Sequence, residues 1–109
     1  MNDKEIRQKL HSMAEKSGEE FQTSDFLLGT IKKFHPTSIQ KFHSGNHFLV
    51  EYDFGGNEAV LFRADMDAVG VQESDSLSYH SVNQGVSHKC GHDGHSTILL
   101  HFAEFLCRS

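Results

Sequence analysis

Two cysteines in 109 residues, Cys90 and Cys107, allow one disulfide arithmetically but make no disulfide framework. Basic clusters are missing as well. Fifteen acidic against ten basic residues leave a formal net charge of -5, which argues against nucleic acid and against an anionic membrane surface as partners. No apolar run approaches the length of a membrane-spanning helix. The opening, "MNDKEIRQKL", is charged where a signal peptide would be apolar. Together these absences lead to the expectation of a cytoplasmic protein with reduced thiols. The length suffices for one small domain, and 37% hydrophobic residues with nine Phe allow only a modest core.

The hydrophobic spacing changes along the chain. In "IRQKLHSMAEKSG", Ile6, Leu10, Met13 and Ala14 recur at helical spacing, and Gly18 suits a stop. "TSDFLLGTIKKFHP" predicts a second helix, capped at Thr23, Ser24 or Asp25 and ended by Pro36, the chain's one proline. "SIQKF" and "HFLVEYDF" are short and rich in β-formers, and "HSGN" between them reads as a hairpin turn. "GGN" is another turn. "EAVLFRAD" follows, its apolar residues Ala59 to Phe62 predicting a strand buried on both faces. A polar, Ser-rich stretch then leads to "HKCGHDGH" and to a final helix, "STILLHFAEFLC". The apolar face expected there comprises Ile98, Leu99, Phe102, Ala103, Phe105 and Leu106. The order is helix, helix, three strands, loop, helix: an α/β layout that looks like the opening of a larger fold.

Nine histidines are many for this length, and three of them crowd into His88–His95 with a cysteine, an aspartate and two glycines. Cys90 and His92 combine a thiolate and an imidazole, donors that suit Zn²⁺. Gly91 lets the backbone bend between them. Asp93 can cap the following helix or orient a ligating imidazole, and His88 and His95 are further candidates. Upstream, "RADMDA" places Asp65 and Asp67 two residues apart; carboxylates near a metal either bridge ions or accept the N–H of a ligating histidine. For the remaining histidines the expectation is ordinary. His11, His35, His43, His47 and His80 read as surface or hydrogen-bonded residues, and His101 as packing or surface. Cys107 reads as a small core hydrophobe.

"LFRADMDAVGVQE" followed by "GVSHKCGHDGHSTILLHFAEFL" resembles the N-acyl-amino-acid amidohydrolases, the hippurate hydrolase and auxin-conjugate hydrolase branch of the aminoacylase/carboxypeptidase-type zinc peptidases. "IRQKLH" and "GEEF" resemble that family's opening helix, so the likeness runs along nearly the whole chain. It implies that residues 1–109 form the N-terminal segment of a zinc-peptidase-like catalytic domain: two helices, a hairpin-containing sheet and a final apolar helix. It further implies Cys90 and His92 as ligands of a two-metal site, with Zn most expected and Mn, Co or Ni as alternatives. Asp67 matches the aspartate that supports a metal ligand from behind. Asp65 sits where other branches carry a ligating histidine, for which the cysteine stands in. Asp93 and His95 belong to the motif in supporting positions.

The chain departs from that family in places. Val69-Gly70 stands where Leu-Pro is usual, and the opening helix lacks the usual His-Pro-Glu. The segments carrying the Glu-Glu pair with the general base, the later histidine ligands and the inserted smaller lid or dimerisation domain are not in the sequence. Glu73 matches a different position and is not assigned as the base, so no catalytic residue is placed in the chain. The expectation is the metal-dependent hydrolysis of N-acyl amino acids or related peptides and conjugates for a completed protein, and inactivity for these 109 residues alone. The alternatives are a non-catalytic metal-binding remnant, or half of a split enzyme completed by another chain. Uncovered apolar surface would favour self-association.

Overall fold

The computed structural model describes residues 1–42 and 45–109. Among these residues three helices and two strands form, in the order α1 (Asp3–Ser12), α2 (Phe21–Lys32), β1 (Ser38–Lys41), β2 (Phe48–Glu51) and α3 (His92–Cys107). The arrangement is that of a partial α/β domain. No helix among the described residues is long and apolar enough to cross a membrane.

The start of α1 is capped by the Asn2 side chain, which accepts the Glu5 N–H at 2.9 Å. Asp3 and Glu5 in its first turn and Lys9 and His11 in its last complement the helix dipole. The helical spacing continues through the buried Met13 and Ala14, yet the helix stops at Ser12 rather than near Gly18. The carbonyls that would continue it are claimed from elsewhere. Val82 N–H donates to Ser12 O at 2.9 Å and Ala68 N–H to Glu15 O at 2.7 Å. Asn83 Nδ2 donates to Ala14 O at 2.8 Å.

Helix α2 begins earlier than its Thr23–Asp25 signal suggests. Its first N–H groups are satisfied from outside the helix: the Glu15 carboxylate accepts from Gln22 N at 3.2 Å and from Thr23 N at 2.7 Å. The helix ends at Lys32, and His35 takes a left-handed φ of 50° just before Pro36.

Strands β1 and β2 pair antiparallel, with Ser38 opposite Glu51 and Lys41 opposite Phe48. The "HSGN" turn expected between them includes His43 and Ser44, which lie outside the described residues.

The third expected strand is not formed. Residues 58–65 are unpaired, and Val60, Leu61 and Phe62 are 79%, 73% and 57% exposed rather than buried on both faces. A strand with two apolar faces needs a neighbour on each edge and a layer on each side. Among the described residues no strand pairs with this segment, and against α3 Phe62 meets Phe102 edge-on at 4.8 Å. An open groove of about 180 Å³ remains beneath it, lined by residues such as Leu27, Ile31, Phe48, Leu61, Met66 and Leu100.

The core therefore lies between helices. Ile6, Leu10 and Met13 pack with Leu27 and Ile31 of α2 and with Leu100 and Ala103 of α3. The apolar stripe of α3 is wider than the core it meets, so Ala103 is buried as expected while Ile98 and Phe105 are 69% and 61% exposed.

Candidate metal centre

Two short pairings bring the separate parts of the site together. Ala68 bridges to Lys16 beyond α1, and Val69 exchanges both backbone hydrogen bonds with Ser87 at 3.0 Å each. The Ser87 hydroxyl adds a bond to Val71 O at 2.7 Å. Asp67, two residues before one end of this bridge, is thus set beside Cys90, three residues after the other.

Helix α3 starts four residues before "STILLHFAEFLC", at His92. The bend before it falls on Gly91, with φ 88°, a conformation that strains any residue bearing a Cβ. Cys90 lies on a loop and His92 opens the helix, and the two converge at Asp67. Cys90 Sγ lies 3.7 Å from Asp67 O, and His92 Nδ1 lies 3.0 Å from the same carbonyl and 2.9 Å from Asp67 Oδ1.

Both Asp67 atoms are acceptors, so they fix the hydrogen of the neutral imidazole on Nδ1 and leave the Nε2 lone pair free for a ligand. Asp65 Oδ2 is 4.0 Å from that Nε2, and its Oδ1 accepts from Arg63 at 2.5 Å. His95 is exposed, its ring centroid 5.8 Å from that of His92.

Cys90 is an exposed free thiol, and Cys107 is free and half-buried. Among the described residues no three His, Cys, Asp or Glu side chains converge closely enough to hold a metal ion by themselves. The donor set fits a metal as a partial one: a free thiol and an imidazole whose second nitrogen is already bonded to a carboxylate.

Asp93 faces the other way. It is buried, 3% exposed. Its Oδ1 accepts the Gly94 N–H at 2.9 Å, and its Oδ2 meets Arg7 at 3.1 Å and His11 Nδ1 at 2.7 Å. The other nitrogen of His11 meets Glu73 Oε1 at 2.5 Å, and Glu73 Oε2 accepts the Ser81 N–H at 2.9 Å. His11, expected to be an ordinary hydrogen-bonded or surface residue, is the buried centre of this cluster.

Sequence reasoning passed over Arg7, His11 and Glu73 as a group. The available signal was local: Arg7 and His11 are four apart on α1 and share a face beside Ile6 and Leu10.

Burial pushes the Glu73 carboxyl up. The Ser81 N–H, the hydrogen bond and charge of His11, and the charge of Lys89 outweigh that, leaving it below the ordinary carboxylate value. His88 is buried, and neither ring nitrogen has a hydrogen-bond partner among the described residues. Burial lowers its pKa; the carboxylates of Asp93 and Asp67 oppose that effect, and the charges of His11 and His92 add to it.

Three further histidines, His47, His80 and His101, have ordinary surroundings. His47 stacks on Phe42 with centroids 4.7 Å apart, His80 Nδ1 lies 3.0 Å from Ser81 O, and His101 Nδ1 lies 3.0 Å from Asp3 Oδ2.

Residues 61–108 match the model of peptidase family M20/M25/M40. The chain is 34% identical over 98 residues to the N-acetyldiaminopimelate deacetylase of Exiguobacterium sibiricum, covering 88% of this chain and 26% of that protein. It is 34% identical over 94 residues to the N-acyl-L-amino acid amidohydrolase of Geobacillus stearothermophilus, covering 86% of this chain and 25% of that one. Among solved structures, the YXEP protein of Bacillus subtilis, a dinuclear metal binding peptidase from the M20 family, superposes with a TM-score of 0.88 at 26% identity, covering 97% of this chain and 30% of that one. The chain spans about a quarter of the length of the curated relatives it matches. What it shares with them is the N-terminal portion of the M20 peptidase fold.

Proposed function

We propose that this chain, as the N-terminal portion of an M20 peptidase domain, supplies two ligands to the metal centre of an amidohydrolase acting on N-acyl amino acids. The observation that carries the reading is the meeting of the Cys90 thiol and the His92 imidazole at Asp67. Cys90, as a thiolate, and His92, through Nε2, are the ligands; Zn²⁺ suits that pair best. Asp67 holds the imidazole in the ligating tautomer and raises its basicity. Asp65 stands beside the free face of the ring. Bound divalent ions supply Lewis-acid polarisation of the acyl carbonyl and acidify a water.

The substrate class is an amino acid whose nitrogen carries a small acyl group, as the names of the relatives suggest. We place the chain in the hippurate and auxin-conjugate hydrolase branch on its two motifs, and in the cytoplasm on its unpaired thiols.

The same reading makes the chain incomplete in function. Two ligands do not close a zinc site, and no general base is assigned within it. The exposed apolar segment 59–62 favours completion by further polypeptide over an independent binding domain, and in its absence favours self-association.

Metal retained after tag-free purification tests the ligands, together with a Co²⁺ titration followed through the thiolate charge-transfer band. Wild type is expected to bind with modest affinity and show the band. Cys90→Ser is expected to lose both. Equal metal content in the two proteins refutes the assignment.

A further inference from the structure

We infer that His11 is a positioning residue for the metal centre: clamped between the buried carboxylates of Glu73 and Asp93, it fixes the first turn of α3 and with it the orientation of the His92 ring. The inference rests on His92 being a ligand, but the clamp is read from contacts that do not involve a metal.

Each ring nitrogen of His11 faces a carboxylate oxygen, Asp93 Oδ2 at 2.7 Å and Glu73 Oε1 at 2.5 Å. Ionised carboxylates only accept, and a neutral imidazole carries one N–H. Both contacts can be made only if each holds a hydrogen, so the cluster holds one proton beyond a neutral ring between two carboxylates. With Arg7 at 3.1 Å from Asp93, that proton balances the two buried negative charges. An unbalanced buried carboxylate is costly.

The three participants come from distant parts of the chain. His11 lies on α1, 62 residues from Glu73 and 82 from Asp93. Glu73 is tied through Ser81 N–H to the polar loop at 2.9 Å. Asp93 is tied to α3 through the Gly94 N–H at 2.9 Å, while the Thr97 hydroxyl donates to its carbonyl at 2.7 Å. The Tyr79 ring meets His11 edge-on at 5.4 Å and lies under Arg7 at 5.2 Å, closing the cluster on the loop side.

His92 directly precedes Asp93, so a turn anchored at Asp93 sets the direction in which His92 leaves the helix. Without His11, the first turn of α3 keeps Arg7 on Asp93 at 3.1 Å and Ser96 Oγ on Asp65 O at 3.2 Å, but it follows a left-handed glycine and has no side-chain cap. The 2.9 Å bond from His92 to Asp67 is then free to open.

Two isosteric variants separate positioning from general support. The amide nitrogen of Asn overlays Nδ1 of histidine, and that of Gln overlays Nε2. His11→Asn therefore keeps the donor to Asp93, whereas His11→Gln keeps the donor to Glu73 and loses Asp93. On the metal-free full chain, ¹⁵N spectra of the imidazoles read the His92 tautomer. Co²⁺ titration of the same samples reads affinity.

The expected result is that His11→Asn retains the Nδ1–H form of His92 and binds within a few-fold of wild type. His11→Gln is expected to lose that form and bind roughly 10–100-fold more weakly, the usual effect of removing support behind a ligand. Equal behaviour of the two variants, or an unchanged His92 signature in His11→Gln, overturns the inference. A His92 signature that responds as expected in a protein that binds no Co²⁺ upholds the clamp and refutes the ligand assignment. If His11→Gln does not fold, wild type decides. Two exchange-protected, far-downfield protons correlated with the His11 ring are expected, whichever atom formally owns them, and their absence overturns the clamp.

Discussion

Removing the Asp67 carboxylate separates a supporting role from a ligating one. Its Oδ1 accepts from His92 Nδ1 at 2.9 Å, and the two side chains are 30% and 23% exposed. A charge-assisted hydrogen bond contributes about 1.5–3 kcal/mol when well sheltered. Partial exposure screens this pair, so the lower part of that range applies. At about 1.4 kcal/mol per decade, Asp67→Ala should weaken metal binding by roughly tenfold, the lower end of what losing such support costs. Asp67→Asn keeps an oxygen in place and loses the charge. Because charge assistance about doubles such a bond, the Asn variant should fall between Ala and wild type. Cys90→Ser, which removes a ligand from an already depleted set, should nearly abolish binding. A competition titration against a chromophoric chelator orders the four proteins at constant pH and salt. If Asp67→Ala is as damaging as Cys90→Ser, Asp67 is itself a ligand. If it has no effect, the bond to His92 does not set the tautomer.

Three other outcomes follow from the same structure. The pure chain should not hydrolyse hippurate or N-acetyl amino acids with Zn²⁺, Mn²⁺ or Co²⁺ supplied, since a positioned base is worth about 10²–10⁴-fold; metal-dependent turnover that Cys90→Ser abolishes would refute this. The metal-free chain should lose stability in acid in two stages. His88 is depressed in the fold, so the unfolded chain takes up its proton first and stability falls as pH drops below about 6.5. Glu73 is also depressed, so its contribution is present above the ordinary carboxylate value and is lost as pH falls through its lower folded value. Urea midpoints between pH 8 and 3 read both stages, and His88→Gln should remove the upper one; a midpoint that rises on acidification from pH 7 to 5 contradicts the sign. Finally, sedimentation velocity should find the wild type self-associating and the Leu61→Gln/Phe62→Ser variant less so, because these two side chains are 73% and 57% exposed; identical, monomeric behaviour would show that the apolar segment is not adhesive.

The helices were legible because their apolar spacing survives in the packed structure: Ile6, Leu10, Leu27, Ile31 and Ala103 are all buried. Their ends were not, and the reasons lie in partners far along the chain. Nothing within "SMAEKSG" says that Asn83 and Ala68 will take the carbonyls that would extend α1, nor that Glu15 will cap the next helix. The segment 58–65 failed differently. Its composition describes a buried strand, and burial depends on neighbours that the described residues do not provide. The metal-capable residues could be found by type, but their grouping came from the family resemblance and not from any local pattern. Asp67 and His92 are 25 positions apart and meet because of the Val69–Ser87 bridge, which no local pattern announces.

The stretch from Cys90 to Asp93 joins two kinds of chemistry because a helix turns by about 100° per residue. His92 and Asp93 are adjacent, yet one points to the partly exposed Asp67 and the other into the buried cluster around His11. The cluster of Arg7, His11, Glu73 and Asp93 is closed: each of these side chains has a partner and the positive and negative groups balance, although His88, 6.2 Å from His11, has none among the described residues. The exposed side is left open, with a thiol whose hydrogen bond among the described residues is a long 3.7 Å approach to a carbonyl, and an imidazole nitrogen 4.0 Å from a carboxylate. An open donor pair is useful only if it is held still, and Gly91, with no Cβ and a left-handed backbone, cannot hold it. Rigidity reaches it from the closed side through Asp93, in addition to the bonds His92 makes to Asp67. The orientation of His92 should therefore depend on residues that never touch the metal, and most strongly on His11, whose two ring nitrogens tie α1 to Glu73 beside the polar loop and to Asp93 in the first turn of α3.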